Sequence, residues 1–178
     1  AILAYQAAID SGYYADTSYI QIKIGQSYAS LTDYNNAVRN YMAAYDATNN
    51  NYAKAQANLL AGQSYITMGV PEQAYARFQD SVNNFPETFD AYSALVALVN
   101  DNQPVNEYFR GLVDYKAGQY SVAVEAFDRF MTSTPDHDAR PHYYKALSLR
   151  ALDQPQAALV EIDALIRDHA GDPLWATA

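Results

Sequence analysis

Apolar and small side chains recur at intervals of three and four residues in successive short segments of this 178-residue chain. That spacing places them on one face of an α-helix, whereas a half-buried strand would alternate every second residue. Prolines at positions 71, 104, 141 and 155 stand where the first turn of a helix tolerates a missing N–H. The pattern predicts ten helices, near residues 1–11, 17–30, 34–47, 52–68, 71–84, 88–100, 104–117, 119–132, 138–152 and 154–168.

Four pairs of these helices share one internal spacing. A small residue in the first helix precedes an alanine in the second by twelve positions, and a large residue follows that alanine by four. The small residue lets the two helices approach closely and the large one fills the remaining space, so the spacing indicates repeated helix pairs. The sets are Gly25, Ala37 and Tyr41; Gly62, Ala74 and Phe78; Gly111, Ala123 and Phe127; and Ala146, Ala158 and Ile162.

One interval between repeats is too long. Ala74 and Ala123 are 49 residues apart, whereas the other two intervals are 37 and 35 residues. The surplus holds an apolar segment near 88–100, which predicts an extra helix and an irregularity between about 86 and 106; alternatively, this helix crosses the stack and covers part of it. The expected organisation is an N-terminal lobe over 1–86, an irregular junction over 87–103 and a C-terminal lobe over 104–178.

The repeated positions resemble the tetratricopeptide repeat (TPR), whose period is about 34 residues. The resemblance covers nearly the whole chain and implies an all-α fold, a right-handed superhelix of antiparallel helix pairs. Ala1, Tyr5 and Ala8 match the second helix of a preceding repeat, and Asp172–Trp175 matches the start of another first helix. Because stacked repeats bury their faces only against neighbours, we expect the chain to be a fragment of a longer solenoid.

Charge and composition narrow the range of partners. The chain has 11 Lys plus Arg against 20 Asp plus Glu and no basic cluster, which argues against nucleic acid and against anionic membrane surfaces. It contains no cysteine, so disulfides, thiolate metal sites and cysteine nucleophiles are excluded. No apolar run approaches the roughly 20 residues of a membrane span, and we expect no direct membrane insertion.

No constellation of residues points to catalysis or to a cofactor. His137 lies in an Asp-His-Asp loop, where a solvated position is favoured over a metal site. His142 lies at a helix start, and His169 lies near a helix end, where the helix dipole indicates a structural role. Paired carboxylates fall on helix faces that are expected to be solvated. Nucleophile-elbow, phosphate-loop and zinc-protease motifs are absent. We therefore predict no catalytic residue, no metal and no cofactor.

Tyrosine is frequent, at 17 residues, which exceeds the needs of repeat packing. The TPR resemblance implies that the first helix of each pair lines a concave groove, and Tyr and Arg are enriched among binding hot spots. The predicted groove residues are Tyr108, Tyr115, Lys116, Arg140, Tyr143 and Arg150. The alternative is that these rings pack on the next helix and that the arginines pair with nearby carboxylates.

The C-terminal half also resembles the helical region found upstream of the catalytic domain in some bacterial lytic transglycosylases, which cleave peptidoglycan. The likeness rests on Tyr108–Tyr120, Ala123–Phe127, His142–Lys145 and Gly171–Trp175. In that family the catalytic Glu lies in a separate lysozyme-like domain, so no catalytic residue is carried over to this chain.

Two functions are consistent with the sequence. The first is a non-catalytic TPR scaffold that binds a protein or peptide partner through its concave groove. The alternative is an accessory helical domain of a lytic transglycosylase, which positions glycan or the catalytic domain and has peptidoglycan as its ligand. The second resemblance implies an extracytoplasmic location, in the periplasm or at the cell surface; without it, the cytoplasm is expected.

Overall fold

The structure, a computed structural model, describes residues 1–174. These residues form ten α-helices and no β-strand, which confirms the predicted all-α fold. Side chains of Asp33, Asn50, Thr88 and Asn106 cap four of the helix starts by accepting hydrogen bonds from backbone N–H groups. The helices are α1 (Ile2–Asp10), α2 (Ser18–Ser30), α3 (Tyr34–Asp46), α4 (Asn51–Thr67), α5 (Pro71–Asn84), α6 (Phe89–Asn100), α7 (Glu107–Lys116), α8 (Tyr120–Ser133), α9 (Arg140–Ala151) and α10 (Pro155–Asp168).

The chain divides into two compact units, Ala1–Pro104 (unit 1) and the part from Val105 onward (unit 2). In unit 1 each helix from α1 to α6 packs on the next, and α2 also contacts α4. Ile22, Tyr41 and Ala61 belong to a buried cluster that α2, α3 and α4 share. This consecutive packing of helices is the arrangement that the repeat spacing predicts.

The predicted pairs of small and large residues meet where two helices approach most closely. A Cβ atom added to Gly25 would lie 2.5 Å from the ring of Tyr41, and one added to Gly111 would lie 2.7 Å from the ring of Phe127. Carbon atoms do not pack at such distances, so a larger residue at either position would force the ring or the helices to move. The spacing in the sequence therefore marks the close contacts between helices.

The extra helix predicted near 88–100 is present as α6, at Phe89–Asn100. It packs on α5 and also on α4, just as α4 packs on α3 and also on α2. It thus occupies the place of a first helix in a further repeat of unit 1, and Ala91, Leu95 and Leu98 are buried on its inner side. Its single-helix character explains why the interval between Ala74 and Ala123 is too long.

Unit 2 consists of α7 to α10, each packed on the next, with a further contact between α7 and α9. One buried cluster contains Tyr108, Leu112 and Phe127 from α7 and α8. A second cluster joins α9 and α10 and contains Leu149 and Ala158. The two clusters give unit 2 a continuous apolar interior across its four helices.

The end of the described chain carries part of one predicted element. The Asp172 side chain accepts a hydrogen bond of 2.9 Å from the Leu174 backbone N–H, an arrangement that often begins a helical turn. Trp175, the aromatic residue of the predicted further first helix, lies outside the described residues. In residues 1–174, no helix has both the length and the apolar character that crossing a membrane requires.

Candidate functional site

Unit 2 contains two helix pairs, α7–α8 and α9–α10, whose equivalent residues stand 35 positions apart. Gly111 thus corresponds to Ala146, and Phe127 to Ile162. Phe127 is fully buried, and the ring of Tyr144 from α9 stacks on it with centroids 6.3 Å apart and planes 17° apart. Helix α9 therefore covers the face that the first pair presents.

The second pair has a cavity at the corresponding face. Its volume is about 380 Å³, and among the described residues no further helix packs over it. Leu159, on the rim, is 62% exposed. The face is thus apolar and open to solvent. The lining residues are Tyr143, Ala146, Leu147, Arg150, Pro155, Ala158, Leu159 and Ile162.

The lining of the cavity repeats positions that are filled in the first pair. Tyr143 and Ile162 line the cavity, and they correspond to Tyr108 and Phe127, which pack against Tyr144 in one cluster. In the first pair the space between these positions is occupied by an aromatic ring from the next helix. We call the site on α7–α8 that receives the Tyr144 ring the first socket. The cavity between α9 and α10 is the equivalent second socket, without such a ring among the described residues.

Tyr108, one of the predicted groove residues, is largely buried in the cluster between α7 and α8. It is only 8% exposed, and its ring packs 5.4 Å from Phe109 and 5.5 Å from Phe130, centroid to centroid. The burial of the ring raises the pKa of the Tyr108 hydroxyl. Arg140 places its guanidinium over this ring at 5.2 Å and donates to the Asp138 carboxylate over 2.8 Å. Both residues thus follow the alternative interpretation, in which rings pack and arginines pair.

Tyr115 and Lys116 lie at the C-terminal end of α7. The Tyr115 ring contacts the rings of Tyr144, at 5.4 Å, and Tyr120, at 5.9 Å, so it is half-buried between α8 and α9. Its burial is the main cause of the raised pKa of the hydroxyl, and the nearby Arg150 opposes that rise. The Lys116 ammonium is exposed and lies 5.7 Å from the Tyr115 ring.

Tyr143 and Arg150 are the two predicted groove residues that line the cavity. Tyr143 is half-buried, with its ring edge-to-face against Tyr144 at 5.4 Å. Arg150 is exposed and makes no ion pair with any described residue. The cavity therefore combines an apolar floor with one aromatic wall and one free cation on its rim.

A buried carboxyl group in α7 was not recognised from the sequence, where Asp114 has no obvious partner. Its side chain is 7% exposed, and its Oδ2 atom lies 3.9 Å from the Arg110 Nε atom, without a hydrogen bond. Burial raises the pKa of Asp114 to about 6, although Arg110 and Arg129 act to lower it. The nearby Glu107 pairs with Arg129 at 3.0 Å.

The three histidines converge, although sequence analysis treats them separately. One ring nitrogen of each of His137, His142 and His169 lies within 4.8 Å of those of the other two. The loop after α8 supplies the first, the start of α9 the second and the end of α10 the third. The short connection between α9 and α10 offered a signal, because it brings the start of one helix beside the end of the other.

A set of charged groups holds the histidine-bearing segments together. The Glu161 carboxylate contacts the His142 Nδ1 atom at 2.7 Å and the Lys145 ammonium at 2.6 Å, and Lys145 also reaches Asp128 at 2.6 Å. Burial acts to raise the pKa of Glu161, but the hydrogen bonds from His142 and Lys145 outweigh it and hold the pKa below its ordinary value. These contacts link α8, α9 and α10.

One family model matches part of the chain. Residues 19–88, from α2 to the loop before α6, match the family model of the tetratricopeptide repeat. Repeats of this family generally mediate protein–protein contacts and are typically non-catalytic. No curated protein matches the chain. The likeness to lytic transglycosylases stays a sequence-based prediction.

Proposed function

We propose that this chain is a non-catalytic TPR scaffold and that the α9–α10 face of unit 2 binds an amphipathic helix of a protein partner. The observation that carries the proposal is the correspondence of the two helix pairs: Tyr144 of α9 fills the socket on α7–α8, and the equivalent socket on α9–α10 is a cavity of about 380 Å³. The occupant of the first socket is the first helix of the next repeat, so the expected occupant of the second is also a helix. It comes either from a partner or from a following repeat, of which Asp172–Trp175 is predicted to be the start.

The lining of the cavity specifies the chemistry of the partner. Ala146, Leu147 and Ile162 offer an apolar floor, which favours a large aliphatic or aromatic side chain. Arg150 lines the cavity and makes no ion pair with any described residue, so an acidic residue one or two turns away on the partner helix would meet it. Helices that bind in such a groove carry apolar residues at positions i, i+3, i+4 and i+7 of their sequence.

The proposal is tested by selection from a phage-displayed library of amphipathic helices of about 16 residues, roughly four turns. The intact chain is the bait, and the Leu159→Glu variant is used for counter-selection. Leu159 is 62% exposed, so the substitution changes the binding face with little effect on folding. We expect enriched peptides that carry one aromatic or large aliphatic residue followed by Asp or Glu.

A matched control distinguishes binding to the α9–α10 face from nonspecific hydrophobic binding. Leu3 is an equally simple exposed leucine, 86% exposed, on α1 of unit 1. Enriched peptides should bind the Leu3→Glu variant as they bind the unaltered chain, and they should lose roughly tenfold or more in affinity for Leu159→Glu. Equal binding to both variants, or no enrichment, would show that the α9–α10 face is not a helix-binding site.

The accessory role in a cell-wall enzyme is tested beside it. Intact peptidoglycan is incubated with the chain and with its Tyr143→Ala variant, and soluble muropeptides serve as competitors. Retention that muropeptides compete away and that Tyr143→Ala abolishes would favour glycan as the ligand and an extracytoplasmic location. In that case glycan binding would replace the helix-binding proposal, because glycan and a partner helix would occupy the same α9–α10 face.

A further inference from the structure

We infer that His137, His142 and His169 form a binding site for a zinc ion. One ring nitrogen of each lies within 4.8 Å of those of the other two, and all three side chains are partly exposed. Three imidazoles from three separate segments are a common ligand set for Zn²⁺. This inference does not rest on the helix-binding proposal, because none of the three histidines lines the cavity between α9 and α10.

Two of the rings are already oriented by hydrogen bonds at their Nδ1 atoms. His142 Nδ1 lies 2.7 Å from the Glu161 carboxylate, and His137 Nδ1 lies 2.9 Å from the backbone carbonyl oxygen of Asp138. Both acceptors require a proton on Nδ1, so in the neutral form of each ring the lone pair is on Nε2. A carboxylate or a backbone carbonyl behind the imidazole is the usual outer partner of a metal-ligating histidine.

The three ring nitrogens, which lie within 4.8 Å of one another, would have to move only slightly closer to bind one zinc ion. Zn–N bonds of about 2.0–2.1 Å in a tetrahedral site place two ligand atoms roughly 3.4 Å apart. The ring centroid of His137 lies 5.1 Å from that of His142 and 5.3 Å from that of His169, and the His142 and His169 centroids lie 5.7 Å apart, so the three rings form one cluster. His137 and His169 stand in a loop and just after the end of a helix, where side chains rotate at little cost.

The surroundings suit a cation with one open coordination position. An open cavity of about 480 Å³ adjoins the histidines and is also lined by Asp136 and Asp168. The Asp168 carboxylate is held by Arg167, over 2.6 Å and 2.7 Å, so it adds little negative charge. Water or a small anion would then complete the coordination, as at sites where three protein ligands hold zinc.

The donor set favours a transition metal ion over calcium or magnesium. Imidazole nitrogens suit zinc, copper and nickel, whereas calcium and magnesium require oxygen ligands. The chain has three histidines and no cysteine, so this cluster concentrates all of its imidazole and thiolate ligands in one place. A bound ion would connect the loop after α8, the start of α9 and the end of α10.

The first experiment is a calorimetric titration of the intact, chelator-treated chain with ZnCl₂. We expect saturable binding of one ion per chain and a rise of the melting temperature with added Zn²⁺, because a ligand that binds only the folded state stabilises it. Cobalt(II) in place of zinc should give the visible absorption of a tetrahedral site. Absence of saturable binding, or binding without any change of melting temperature, would overturn the inference.

Variants assign the ion to the histidines. His137→Asn and His169→Asn should each weaken zinc binding by about tenfold or more, and replacing all three histidines should abolish it. The matched control is Glu125→Gln, which removes an exposed carboxylate from α8 of the same unit. Circular dichroism without metal verifies folding of every variant. Unchanged zinc affinity in the folded triple variant would assign the ion to surface carboxylates and overturn the inference.

The outer partner is tested separately through Glu161→Gln. As a positioning residue it should affect zinc affinity by roughly 10-fold to 100-fold and shift the cobalt absorption band, since the His142 ring loses its charged acceptor. A purely structural role would lower the melting temperature of the metal-free chain and leave the cobalt spectrum unchanged. That outcome would remove Glu161 from the proposed site.

Discussion

The helix pairs α7–α8 and α9–α10 share one spacing of small and large residues, but among the described residues only the first pair is covered by a following helix. In the first pair Phe127 is fully buried under Tyr144; in the second, Ile162 lines an open cavity. The difference shows that the same repeat position is buried or borders an open cavity according to what packs over it. Composition of the pair alone does not decide this.

The largest expected effect comes from truncating the large residue of each pair. Phe127→Ala should lower the free energy of unfolding by about 3–5 kcal/mol, because it empties a fully buried site. Ile162→Ala should cost only about 1 kcal/mol, since its side chain already borders a cavity. Urea unfolding of the intact chain, followed by circular dichroism, measures both. Equal losses would mean that the second pair is as tightly packed as the first.

Truncating the equivalent tyrosines, Tyr108 and Tyr143, should likewise cost more stability in the first pair than in the second. Tyr108→Ala should cost about 2–4 kcal/mol of unfolding free energy, because the ring packs among Phe109, Phe127 and Phe130. Tyr143→Ala should cost less than about 1 kcal/mol and should instead weaken binding of selected helical peptides. The same unfolding assay and a peptide titration separate the two effects. A larger stability loss at Tyr143 than at Tyr108 would reverse the assignment of core and surface.

The small residues provide a subtler comparison. Gly111→Ala should destabilise the chain by about 1–3 kcal/mol, because the added Cβ would lie 2.7 Å from the Phe127 ring. In the Phe127→Ile background the same substitution should cost clearly less, since Ala146 faces Ile162 in the second pair. A double-mutant cycle measures this coupling. Additive effects of the two substitutions would show that the glycine is not required for that contact.

The smallest expected effect concerns the buried Asp114, whose equivalent in α9 is the apolar Leu149. Its pKa is about 6 when folded and 3.8 as a model carboxyl, so the folded chain holds a proton that the unfolded chain releases. This contribution therefore favours folding below about pH 4 and is lost as the pH rises to about 6. Glu107 and Arg110 from α7 and Arg129 from α8 face the group.

Asp114→Asn removes this titration. The variant should gain on the order of 1–2 kcal/mol relative to the unaltered chain between pH 4 and pH 7, measured by urea unfolding at each pH. Glu125→Gln, at an exposed carboxylate of α8, serves as the control and should leave the pH profile of stability nearly unchanged. A constant difference between Asp114→Asn and the unaltered chain at all pH values would contradict the burial of a carboxyl group with a raised pKa.

Much of the fold could be predicted because the close contacts lie at fixed sequence separations. The pairs Gly25 with Tyr41 and Gly111 with Phe127 are each 16 residues apart, the distance across one helical hairpin. The extra helix was equally visible as a surplus of residues. Its packing on α4 and α5 was not, since an apolar stripe does not identify the helices that it contacts.

The candidate sites were less predictable, for a related reason. Tyr108 and Tyr143 have the same position in the repeat, and only the presence of α9 over the first decides that it is buried. The histidines gather because helix ends and a loop meet in three dimensions, at sequence separations of five and 27 residues that match no metal motif. Such convergence depends on tertiary packing, which no local pattern encodes.

The most direct test of the central claim is methyl NMR of the intact chain with labelled Ile, Leu and Val, titrated with a selected helical peptide. The account predicts that shifts change at Leu147, Leu159 and Ile162, around the open cavity, and stay constant at Leu112, in the socket that Tyr144 already fills. Changes centred on Leu112, or spread without focus over unit 1, would contradict the claim that α9–α10 is the binding face.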